Sequence, residues 1–63
     1  MSSTTDRIKG EWNQVKGKVK QQYAELTDDD LKMVEGKRDE LIGKIQEKTG
    51  KAKSEVTSFI DSL

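Results

Sequence analysis

Apolar side chains recur at helical intervals along most of the chain. Ile8, Trp12, Val15, Val19, Tyr23 and Leu26 follow one another in steps of 4, 3, 4, 4 and 3. At about 100° per residue these six stay within a wedge of roughly 80°, which predicts a helix over 6–25 with one narrow apolar stripe. The preceding Met1-Ser2-Ser3-Thr4-Thr5 is small and polar, which predicts a frayed, disordered tail over 1–5 ahead of a single domain over 6–63. Thr5 or Asp6 is available as the N-cap of the first helix.

The run Leu26-Thr27-Asp28-Asp29-Asp30-Leu31 is the clearest punctuation. Thr27 is a good N-cap, and three carboxylates in the next turn meet the positive end of the helix dipole. A second helix over 28–49 is predicted, with Leu31, Val34, Leu41, Ile42 and Ile45 on its apolar side and a possible kink near Gly36. Arg38 lies on that same side, where another apolar residue is expected. Asp28 with Lys32, Glu40 with Lys44, and Glu47 with Lys51 are spaced as favourable acid-first ion pairs. Gly50 sits where a left-handed residue would end this helix, and a terminal helix over 51–62 carries Ala52, Val56, Phe59 and Ile60. The stripe keeps its phase through Gly50, so one long bent helix from Leu31 to Leu63 is the rival reading; the break is preferred. The predicted fold is all-α, a small array of three to four short helices, with the first two meeting across the turn Glu25 to Thr27.

Gly10, Gly17, Gly36, Gly43 and Gly50 repeat every seven residues within each half of the chain, and four of the five precede Lys. Residues 8–24 superpose on 34–50 as a weak duplication, with Ile8 over Val34, Gly17 over Gly43 and Val19 over Ile45. On a helical wheel the glycines fall opposite the apolar stripes, so close helix packing does not require them. Each costs a helix interior about 1 kcal/mol relative to Ala. The pattern is expected from tolerated surface glycines, or from a chain tuned to be only conditionally helical.

Composition narrows the chemistry. Of 63 residues 38% are charged and 30% apolar, with no Pro, Cys or His. Disulfides and cysteine or histidine zinc sites are therefore out of reach, and so short a chain is expected to be marginally stable. Twelve cationic side chains balance twelve anionic ones, so no long-range field recruits a polyanion. Specific nucleic acid binding is not expected. No apolar run approaches the roughly 20 residues that span a bilayer, and the start lacks the pattern of a signal peptide, so the expected location is cytoplasmic. Without imidazole or thiol the serines lack their usual base, and a pair such as Lys51 with Ser54 on a small exposed helix has no pocket to desolvate the lysine, so no enzyme activity or cofactor is expected. Asp28-Asp29-Asp30 suits a helix start better than a metal site, because successive helical positions point about 100° apart.

Arg7, Lys9, Lys16, Lys18 and Lys20 form a basic stretch broken by Glu11, which is read as a solvated face. The stripe Ile8, Trp12, Val15, Val19 and Tyr23 is the candidate core face. Left unburied, it would serve as a docking surface for a protein partner or a second copy, or, with its flanking lysines, for an anionic membrane surface. The expected assembly is a monomer or a weak homo-oligomer.

These residues carry a resemblance. Leu26 to Leu31, then Glu35-Gly36-Lys37-Arg38-Asp39 and Leu41-Ile42-Gly43-Lys44-Ile45-Gln46-Glu47, with Lys9-Gly10, Trp12 and Val15-Lys16-Gly17-Lys18-Val19-Lys20 upstream, resemble the CsbD-like family of small bacterial general-stress proteins. The likeness covers about residues 6–60 and departs from the pattern at Glu11, where Lys often follows the glycine. It implies a short helical array, raised expression under stress, and no catalytic or binding residues to carry over.

Overall fold

A computed structural model describes residues 4–63 of the chain, with side chains from Asp6 onward. Five short helices follow one another: α1 (Thr4–Gly10), α2 (Trp12–Gln22), α3 (Asp28–Met33), α4 (Arg38–Thr49) and α5 (Lys53–Asp61). Among the described residues there is no strand.

The helix expected over 6–25 is two helices. Glu11 breaks it with φ −119° and ψ 34°, and the second piece ends at Gln22. A straight helix over residues 4–22 would run about 28 Å, past the ~18 Å of α4, at 1.5 Å per residue. The break instead turns α1 onto α4 and buries Ile8, which is 1% exposed. Because α1 begins at Thr4, Thr5 and Asp6 lie within its first turn and neither is its N-cap. Of the expected tail, residues 1–3 lie outside the described residues, while Thr4 and Thr5 are helical.

Glycine ends the next two pieces. Gly36 (φ 74°) separates α3 from α4, and Gly50 (φ 71°) closes α4 with its N–H donating to the Gln46 carbonyl at 2.9 Å. Both lie in the left-handed region that a Cβ disfavours. The expected kink at Gly36 is thus a full interruption, and the rival continuous helix from Leu31 to Leu63 does not form. α5 is shorter than the 51–62 expected for it, starting at Lys53 with Ala52 extended before it.

α4 and α5 pack side by side, and the Arg38 guanidinium at the start of α4 grips Asp61 at the end of α5. The two helices are therefore antiparallel. One core runs through all five elements, from Ile8 through Trp12, Val19 and Leu31 to Ile45, Val56 and Ile60. Phe59 and Leu63 cover part of its margin.

Candidate functional site

The five residues singled out by periodicity converge inside the molecule. Ile8 reaches the core from α1, Trp12, Val15 and Val19 from α2, and Tyr23 from the turn that follows, and all five are buried. Trp12, the bulkiest, is 8% exposed. The face that would have met a partner or a membrane is occupied by the chain's own side chains, so docking through it requires opening the fold. Among the described residues, Met33 is the one large apolar side chain that stands in solvent, at 67% exposure.

Tyr23 is the least comfortable member of the cluster. Its ring meets Phe59 edge-on, with centroids 5.3 Å apart and planes at 89°, a favoured aromatic geometry. Its hydroxyl is buried and finds no hydrogen-bond partner among the described residues. Burial raises the phenol's pKa above 10.0, and the negative charge of Glu55 raises it further.

The acidic triplet is absorbed by the start of α3. The Asp30 N–H donates to the Thr27 hydroxyl at 3.1 Å, and the Thr27 N–H donates back to Asp30 Oδ2 at 3.2 Å, a reciprocal capping box. Lys48 of α4 stands 3.5 Å from the other Asp30 oxygen. The Thr27 N–H, its hydroxyl and Lys48 hold the Asp30 carboxyl below the ordinary carboxylate pKa, against the upward push of burial. Asp28 is also held low, mainly by its 2.7 Å bond from Lys20 of α2. These carboxylates are committed to α3, α2 and α4, and among the described residues no cluster with metal-ligand geometry occurs.

The remaining ion pairs differ from those expected. Asp28 pairs with Lys20 in place of Lys32, Glu40 with Lys37 in place of Lys44, and Glu47 with Lys44 in place of Lys51. Sequence reasoning missed the bidentate Arg38–Asp61 pair, both contacts at 3.0 Å, although Arg38 on the apolar side of its helix was the signal that a carboxylate must come to meet it.

The basic stretch is divided. Arg7 and Lys18 line a cleft of about 90 Å³ floored by Ile8, Val15, Ile60 and Leu63, with Glu11 on its rim. Lys9 and Lys16 line a shallower groove beside Trp12, shared with Glu11 and Glu35. Each groove therefore mixes both signs of charge, as expected of a solvated face. No helix of the described chain is long and apolar enough to cross a membrane.

Comparison with known proteins agrees with the likeness seen in the motifs. The model of the CsbD-like family matches residues 6–58. The UPF0337 protein YjbJ of Escherichia coli O6:H1 is 53% identical over 57 residues, covering 90% of this chain and 83% of the relative. The UPF0337 protein PA4738 of Pseudomonas aeruginosa is 44% identical over 63 residues, covering 94% and 97%. No solved structure gives a significant match.

Proposed function

The chain belongs to the CsbD-like family, and from that premise we propose that it is a non-catalytic general-stress protein of the bacterial cytoplasm, acting as a hydrophilic, weakly helical protectant. The observation that carries this reading is how the surface is built. Apolar bulk is withdrawn into the core, charges of both signs cover the outside, and Gly17 and Gly43 occupy exposed helical positions with open space where a Cβ would stand. Such a surface binds water well and offers other macromolecules little to adhere to. Glycines inside α2 and α4 keep the helices near the edge of stability, so their population responds to water activity.

Circular dichroism during osmolyte titration and drying tests this directly. The folded form is expected to be the majority state in dilute buffer but with a low melting midpoint, and the helical signal to rise further as water activity falls. A sharp, unchanging helical signal with a cooperative, high-temperature melt contradicts conditional folding.

A further inference from the structure

We infer that Met33 is a reversible oxidant-trapping site, which takes an oxygen atom from a hydroperoxide while the fold stays intact. The observation behind it is how the oxidisable side chains are distributed. The chain has no cysteine and no histidine, and Trp12 and Tyr23 are withdrawn into the core. Met33 alone among the described residues presents a large apolar side chain to solvent, and it carries the one sulfur among them. Met1, the other methionine, lies outside the described residues.

Met33 is also insulated from everything that holds the fold. It is the last residue of α3, and it belongs neither to the core cluster nor to the apolar side chains packed at the margin of that core. That end of α3 is secured by its neighbours: Leu31 and Val34 are buried, the Val34 N–H donates to the Leu31 carbonyl at 3.2 Å, and the Glu35 N–H donates to the Lys32 carbonyl at 3.3 Å. None of these contacts uses the thioether. Oxidising a buried methionine disrupts a core because a flexible apolar group becomes polar. At Met33 the new oxygen enters water.

The chemistry is a two-electron transfer. A lone pair on Met33 Sδ attacks one oxygen of the hydroperoxide, so that the S–O bond forms as the O–O bond breaks. The departing oxygen leaves with the bonding pair and takes the proton of the transferred oxygen, as water from hydrogen peroxide or as an alcohol from an organic hydroperoxide. Sulfur is oxidised to the sulfoxide, and the peroxide is reduced. With no thiol in the chain the reaction ends there, and the sulfoxide is the rung of methionine oxidation that thiol-dependent reductases reverse, one enzyme for each epimer. Two thiols become a disulfide, and the oxygen departs as water. The exposure that admits the oxidant admits these enzymes as well. This site is independent of conditional folding.

Hydrogen peroxide followed by tryptic mass mapping tests the inference, because cleavage after Lys32 and Lys37 isolates Met33 from Met1. The peptide 33–37 is expected to gain one oxygen at a rate within about twofold of that in the urea-unfolded chain, since the folded state gives the sulfur no shelter. Trp12 emission and the urea midpoint should be the same before and after oxidation. Once peroxide is removed, the two reductases with dithiothreitol should return the folded protein to its original mass, and the cycle should repeat. Met33→Leu, which keeps the apolar bulk, should abolish oxygen uptake between Lys32 and Lys37 with no change in the melt. Oxidation at Met33 about tenfold slower than in the unfolded chain, a lowered urea midpoint after oxidation, or a folded sulfoxide that the reductases leave untouched overturns the inference.

Discussion

Replacing glycine by alanine should give opposite results at two pairs of positions in this chain. Gly17 and Gly43 are exposed within α2 and α4, and a Cβ added at either meets nothing within 4 Å. Alanine there restores helix propensity worth about 1 kcal/mol per site without a clash. The sites lie on different helices, so the double variant should gain about 2 kcal/mol. For a domain of this size that is a rise in Tm of roughly 8–16 °C. Gly36 and Gly50 have φ of 74° and 71°, where a side chain costs about 1–2 kcal/mol, and at Gly36 the new methyl also touches Lys9. Gly36→Ala and Gly50→Ala should therefore lower stability by at least 1 kcal/mol. Urea titration followed by Trp12 fluorescence and by circular dichroism reads all four variants. A Gly17→Ala, Gly43→Ala protein no more stable than the parent, or a stabilised Gly36→Ala, would refute the reasoning.

Tyr23→Phe removes a buried hydroxyl that has no hydrogen-bond partner among the described residues, so stability should hold or rise by about 1 kcal/mol in thermal melts, while a clear loss would mean that the hydroxyl has a partner. The phenol's raised pKa carries its own sign: stability is fully present below pH 10, the unfolded value, and is lost as pH climbs toward the higher folded value, with an absorbance titration at 295 nm showing the late midpoint. Arg38→Ala and Asp61→Ala should couple by about 0.5–1 kcal/mol in a double-mutant cycle, modest because Asp61 is 42% exposed. Thr27→Ala should cost about 1 kcal/mol by uncapping α3. The depressed Asp30 pKa adds stability above its ordinary value of 3.8 that drains away in more acid solution, a dependence that Asp30→Asn should flatten in pH-stepped urea titrations.

How much of this was legible in the sequence depends on what each feature answers to. The stripe of Ile8, Trp12, Val15, Val19 and Tyr23 was visible because burial on a helix imposes its period on the residues, and the structure buries all five. Gly50 was readable as a helix end because few other residues take a left-handed angle there. The break at Glu11 was not, since Ile8 and Trp12 face the same core from either side of it and the phase of the stripe survives the turn. Ion pairing was misread for a related reason. Spacing on one helix proposes local partners, whereas Asp28 is captured by Lys20 on the preceding helix and Arg38 by Asp61, 23 residues away. Tertiary packing decides such pairs, and it leaves only indirect marks such as an arginine on an apolar face.

The fluorescence of Trp12 in dilute solution, without any partner, tests most directly whether the apolar stripe is spent inside the molecule. Trp12 is the chain's one tryptophan, and it is 8% exposed. A blue-shifted emission, poorly quenched by acrylamide and moving to the red only on unfolding in urea, is the result the structure predicts. Emission already at the solvent-exposed wavelength, freely quenched and shifting blue only when protein or vesicles are added, would contradict it and return the stripe to the role of a docking surface.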